Sequence, residues 1–122
     1  MWNKNVAYIV IHPQRYTKEF VDNSDSFSLT FFDESYRETL SYLGTKSGRD
    51  EDKLEKSKLA VLHENNTPYF KETNIAISAK KLFAQEYKPE SFIDNEFNQK
   101  MYPYSDHHTL YIGEITKILI KE

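Results

Sequence analysis

Two short stretches of this chain combine small, hydroxyl-bearing and basic residues in the way an anion site requires. Ser47-Gly48-Arg49-Asp50-Glu51-Asp52-Lys53 offers a serine hydroxyl, a glycine that lets backbone N–H groups turn inward, and the cations Arg49 and Lys53, a set suited to holding phosphate. The same spacing also suits an ordinary solvated helix start, with Asp50 capping a turn that runs through Leu54. In the second stretch, His12-Pro13-Gln14-Arg15-Tyr16-Thr17 follows directly on the apolar run Val6-Ala7-Tyr8-Ile9-Val10-Ile11. Pro13 cannot extend a ladder, and Thr17 is suited to cap a short helix. Arg15, Tyr16 and Thr17 therefore stand where a strand hands over to a helix N-terminus, a favourable place for phosphate.

A third cluster, Asp106-His107-His108, carries metal-ligating residue types. Three neighbours on an extended segment point to opposite faces and do not converge on one ion, so no metal is expected there. The plain alternative is a polar lead-in to a strand. No Gly-x-Gly-x-x-Gly follows a strand and no Gly-x-Ser-x-Gly is present, which removes the usual dinucleotide and hydrolase signatures. Glu34, Glu38, Asp50, Glu51 and Asp52 sit at helix starts or on solvated faces, where carboxylates complement the helix dipole without doing chemistry.

Composition narrows the classes further. Sixteen basic against nineteen acidic residues in 122 leave a net charge of −3, which gives no basic field for nucleic acid or an anionic membrane. Cysteine is absent, so disulfides, thiolate catalysis and Cys-based metal ligation are excluded, and redox chemistry would need a borrowed cofactor. No apolar run approaches a membrane span and no signal-peptide pattern opens the chain; a cytoplasmic location is the expectation. The length suits one domain over 1–122.

The clusters together resemble the flavin reductase-like family, the flavoredoxin group with the FMN-binding split-barrel fold. The resemblance is carried by Trp2-Asn3-Lys4, the Pro-Gln-Arg-Tyr-Thr turn at 13–17, Ser47-Gly48-Arg49-Asp50 with Lys53, and His108-Thr109-Leu110-Tyr111-Ile112-Gly113-Glu114-Ile115. It implies that Arg15, Tyr16 and Thr17 lie near the flavin phosphate and ribityl chain. It implies also that Ser47, Gly48, Arg49, Asp50 and Lys53 close over the cofactor, and that His108 stands near the flavin edge or a dimer contact. The implied cofactor is FMN, with FAD as the alternative, and the implied activity is electron transfer or NAD(P)H-dependent flavin reduction in a homodimer. The family pattern starts earlier, with a strand bearing an Asn-x-Met-Thr-x-x-Trp-Gly type of motif, so the expected barrel is N-terminally shortened. His12 replaces a usual Arg and Asn5 a usual Pro. A rival expectation from a different class is a shortened relative without flavin, serving as a dimeric binding or structural module.

The elements that must position these residues follow from periodicity. Strands are expected over Val6 to Ile11 and Ser26 to Phe32, where Phe27, Leu29 and Phe31 alternate with Ser28 and Thr30. A short helix is expected over Thr17 to Asp22. A second, over Glu34 to Leu43, is capped by Asp33, ended by Gly44 and packed through Tyr36, Leu40 and Leu43. Further helical turns are expected over Asp52 to Ser57 and Pro89 to Ile93. A hairpin turns at Glu64-Asn65-Asn66-Thr67-Pro68. Two long paired strands run over Asn74 to Glu86 and His108 to Ile120, with a bulge near Gly113-Glu114. Strands with interspersed short helices and no regular βα alternation predict an α+β, mainly β, antiparallel barrel.

Overall fold

The computed structural model describes residues 1–45, 59–64 and 67–121. Ser47, Gly48, Arg49, Asp50 and Lys53, and the expected turn Asp52 to Ser57, lie outside the described residues. The elements run β1 (Val6–Ile11), α1 (Thr17–Asp22), β2 (Ser26–Phe31), a 3-10 turn (Glu34–Tyr36) leading into α2 (Arg37–Thr45), β3 (Val61–Glu64), β4 (Thr67–Phe70), β5 (Ile75–Glu86), a second 3-10 turn (Pro89–Ser91), α3 (Asn95–Met101) and β6 (Thr109–Ile120). Four strands form one antiparallel sheet in the order β1-β6-β5-β2, and β3-β4 is a separate hairpin. Among the described residues no helix is long and apolar enough to cross a membrane.

Alternation decides which face each strand buries. Ala7, Ile9 and Ile11 of β1, Phe27 and Leu29 of β2, Ala79 of β5 and Tyr111 of β6 point to one side, where Val21 of α1 closes the core. Residues directly opposite in the ladder share a face, and the register pairs Ile9 with Tyr111 and Phe27 with Ala79. On the other face the hairpin covers β2: Ser26 Oγ is 2.8 Å from Thr67 Oγ1, Ser28 Oγ donates to the Pro68 carbonyl, and Ala76 and Ser78 are buried.

The glycine near the middle of β6 has a packing role. A Cβ on Gly113 would stand 2.8 Å from the Phe27 ring and 2.9 Å from the Ala79 Cβ, so glycine lets the aromatic ring of β2 cross the sheet at this point. The expected irregularity is present but flanks this residue. The β5–β6 register slips between Ser78 and Ala79 and again between Lys81 and Phe83, which leaves Thr116 and Leu82 as the extra residues.

The helices depart from expectation in three places. Tyr16 occupies the N-cap of α1 with helical backbone angles and no side-chain cap, and Thr17 is already the first helical residue; Thr17 is therefore not a cap. Gly44 does not end α2, which runs one residue further to Thr45. Asp33 does cap the preceding turn, accepting from the Ser35 amide at 2.7 Å. Of the expected packing residues Leu40 is exposed, while Tyr36 meets Phe32, whose ring lies 5.5 Å away and stands 5.8 Å from Phe70. The third departure is α3, which lies in the stretch expected to hold a helix only near Pro89 to Ile93.

Candidate functional site

The turn after β1 is held from both sides. The Arg15 amide donates to the His12 carbonyl at 3.0 Å, and the Gln14 amide donates to His12 Nδ1 at 3.2 Å, so the imidazole itself closes the turn. Beyond the turn, α1 is pinned to the core face. Lys81 Nζ donates to the Val21 carbonyl at 2.7 Å, and the Tyr111 hydroxyl donates to the Asp22 carboxylate, which Lys18 Nζ meets at 2.7 Å. Burial works against the Asp22 charge, but the bonds from Lys18 and Tyr111 outweigh it and hold this carboxyl below its ordinary range. The bond to Asp22 also raises the Lys18 pKa against the opposing effect of burial. These contacts fix where α1 starts, and so where Arg15, Tyr16 and Thr17 stand.

Arg15 is exposed and reaches across to α2, where its Nη1 donates to the Gly44 carbonyl at 3.2 Å. That bond uses one of the five guanidinium donors. It also brings the end of α2, three residues before Ser47 in the chain, against the turn. Tyr16 packs edge-on against Phe20 at 4.9 Å, and Thr17 is exposed.

His108 reaches the same turn from the far end of the chain. The β5–β6 ladder continues one step past Glu86 and Thr109, with the Tyr87 amide donating to the His108 carbonyl at 2.9 Å. The His108 ring then lies edge-on to His12 at 5.0 Å. Asp106 ties the two segments together, its Oδ2 lying 3.2 Å from His12 Nε2 and 3.4 Å from Gln14 Nε2. The lead-in to β6 is thus not merely polar. His107 is buried, 2.7 Å from Asn98 Oδ1 through its Nε2 and stacked on Tyr102 at 4.3 Å.

Helix α3 and the turn after it supply this support. Asp94 caps α3 by accepting from the Phe97 amide at 3.1 Å, and Asn98 is the buried residue of the helix. The chain then reverses through Tyr102 to Ser105, closed by a 3.1 Å bond between the Ser105 amide and the Tyr102 carbonyl, with Ser105 in the left-handed region at φ 59°. Sequence reasoning missed Tyr102, Asn98 and Asp106 as site residues. Asp94 before the helix and Pro103 just after it were the signals that could have located α3. Next to this support, Gln85, Glu86, Tyr87, Lys88, Ser91 and Phe92 line a groove of about 470 Å³.

Burial first, and then the neighbouring His12, lower the His108 pKa below the ordinary histidine value, with Asp106 opposing more weakly. The folded protein therefore favours the neutral ring, while the unfolded chain titrates near the ordinary value. Stability from this group is present above about pH 6.5 and is lost as pH falls from there through the lower folded-state value, because the unfolded chain binds the proton first. We predict that urea denaturation between pH 7.5 and 5.5 shows falling stability, and that His108→Gln flattens this slope. An unchanged slope in the variant would assign the pH dependence to other groups.

The sequence-expected residues thus separate into two sets. Arg15, Tyr16, Thr17 and His108 are brought to one end of the sheet, joined through His12 and Asp106. Ser47, Gly48, Arg49, Asp50 and Lys53 lie outside the described residues, and the chain leads toward them from Gly44. Among the described residues no group of three or more His, Asp or Glu could hold a metal ion.

A family model described as "Flavin reductase like domain" matches residues 5–122. No curated protein matches the chain. Among solved structures, a flavoredoxin from Methanosarcina acetivorans is similar at TM-score 0.77 and 19% identity, over 98% of this chain and 55% of that one. An FMN-binding protein from Thermus thermophilus with bound p-hydroxybenzaldehyde is similar at TM-score 0.75 and 18% identity, over 100% and 58% of the two chains. A protein with a split barrel domain from Shewanella frigidimarina is similar at TM-score 0.74 and 18% identity, over 100% and 55%. The antiparallel sheet with few short helices is thus the split-barrel fold, and the chain spans little more than half the length of these structures.

Proposed function

Because the chain belongs to the flavin reductase like domain family, we propose that it binds FMN where the His12 to Thr17 turn meets His108. The observation that carries this reading is the meeting of the His12 and His108 rings at one end of the sheet, from segments distant in the chain, beside a turn that carries an exposed guanidinium and an exposed threonine. The residues fit the group. Arg15 would neutralise the phosphate, with Tyr16 and Thr17 adding donors. His108 would face the ring edge, and Ser47, Gly48, Arg49, Asp50 and Lys53 would close the site from the segment that follows Gly44. FAD is the alternative ligand.

When bound, the isoalloxazine would supply the electron-carrying chemistry, and the protein would supply binding, orientation and electrostatics. The lowered His108 pKa favours the neutral ring, which can donate in a hydrogen bond without adding a cation to the site. The activity we propose is electron transfer or reduction of flavin by NAD(P)H. The test is an absorption spectrum after FMN addition and desalting, followed by anaerobic NADH. Retained flavin absorbance that bleaches with NADH supports the reading. Absence of retained flavin favours the rival, a dimeric module without cofactor.

Homodimerisation belongs to the same proposal. At one end of the sheet the core face carries Phe31, Ile75 and Ile120 side by side in register, with Ile118 next to them. All four are exposed, from 37% at Ile75 to 71% at Ile120. A contiguous apolar patch of this kind marks an interaction surface, and a second copy would cover it in a two-fold arrangement. We predict a dimer by light scattering at tens of micromolar and a shift toward monomer in Ile118→Glu. A wild-type monomer would contradict this.

A further inference from the structure

The contact between Tyr102 and His108 bears on which edge of the imidazole is available. The Tyr102 hydroxyl lies 2.6 Å from His108 Nδ1. A neutral imidazole carries one proton, so Nδ1 either accepts from this hydroxyl or donates to it. Among the described residues the Tyr102 hydroxyl has no other hydrogen-bond partner, and none is made to His108 Nε2. Were Nδ1 the donor, the phenolic proton would be left without an acceptor in a part-buried place, which costs the desolvation of a polar group. Acceptance at Nδ1 satisfies both groups at once.

Tyr102 is itself held in place. Its ring stacks on His107 at 4.3 Å, meets Phe92 at 5.9 Å and stands edge-on to His108 at 5.6 Å. His107 is fixed in turn by Asn98 of α3. The excursion between β5 and β6 thus ends in a rigid phenol aimed at one nitrogen of one histidine.

We infer that Tyr102 is a positioning residue for His108: its hydroxyl donates to Nδ1, keeps the imidazole proton on Nε2, and presents Nε2–H as a fixed neutral donor at the end of the sheet. The chemical class this donor serves is a planar heteroaromatic ligand with acceptor atoms on its edge. Its use on flavin rests on the reading proposed above. The charged or titratable groups facing His108 are His12 from the end of β1, Asp106 and Tyr102 from the segment before β6, and Tyr87 from the end of β5. None of these supplies another proton to Nδ1.

The test is a long-range 1H–15N correlation of the histidine rings in the full chain at pH 7.5, in wild type and Tyr102→Phe, with FMN titrations of both. The wild type should show His108 protonated on Nε2. Tyr102→Phe keeps the ring stack and removes only the hydroxyl, so the two nitrogens of His108 should drift toward a mixture of tautomers and the ring should titrate at higher pH. FMN affinity should fall by roughly threefold to tenfold, as expected for one lost hydrogen bond. A wild-type His108 protonated on Nδ1, which needs no variant to observe, would overturn the inference. So would an unchanged Nε2–H tautomer in Tyr102→Phe. The expected tautomers with no FMN binding in wild type would support the positioning role and remove the flavin reading.

Discussion

Arg15→Ala is expected to weaken FMN binding by about 1.5 to 3 kcal/mol, the range for a hydrogen bond to a charged group, and to leave riboflavin binding nearly unchanged. The guanidinium is exposed at the turn that precedes α1, and its one described bond, to the Gly44 carbonyl, engages a single donor. The remaining edge is suited to a phosphate, which riboflavin lacks. The comparison of ligands isolates this role from a structural one. Loss of the Gly44 contact would disturb the site for both flavins alike. Titration of FMN and riboflavin against wild type and variant measures the difference; equal losses for the two ligands would assign Arg15 to holding α2 rather than to phosphate.

Gly113→Ala is expected to destabilise the protein by about 1 to 3 kcal/mol, the usual cost of overpacking a well-filled core. The added Cβ would fall within 2.8 to 2.9 Å of the Phe27 ring and the Ala79 Cβ. Phe27 and Ala79 are both buried, and Ala79 is fully enclosed, so neither can step aside cheaply. Because one ring supplies two of the three contacts, Phe27→Leu should offset part of the cost. Urea denaturation of the two single variants and the double variant gives the coupling. Additive losses would mean that the ring is not what glycine makes room for.

The sheet was legible because period-2 alternation survives in each strand: Phe27 and Leu29 turn inward between serines and threonine, and β5 and β6 pair along most of their lengths. Local turn chemistry was legible where the signal and its effect lie within a few residues, as with Asp33 and the β3–β4 hairpin. What escaped depends on partners distant in sequence. His107 reads as polar and is buried because Asn98 and Tyr102 enclose it. Asp106 reads as a strand approach, yet it meets His12, ninety-four residues earlier. Leu40 fits a helical stripe but the sheet packs elsewhere, and the Gly44 stop signal yielded because the helix carries on through it to Thr45. The resemblance named His108 and Arg15; only the fold shows that His12 and Asp106 bring the two segments that carry them to one end of the sheet.

We propose that the turn at 12–17, the end of α2 and the His108 segment form one flavin site. A chemical-shift map of backbone amides during FMN titration tests it most directly. Saturable shifts are expected at residues 14–17, at Gly44, at Tyr87 and through 102–108, with the β3–β4 hairpin silent. Shifts centred on the hairpin, or none at millimolar FMN, would contradict it.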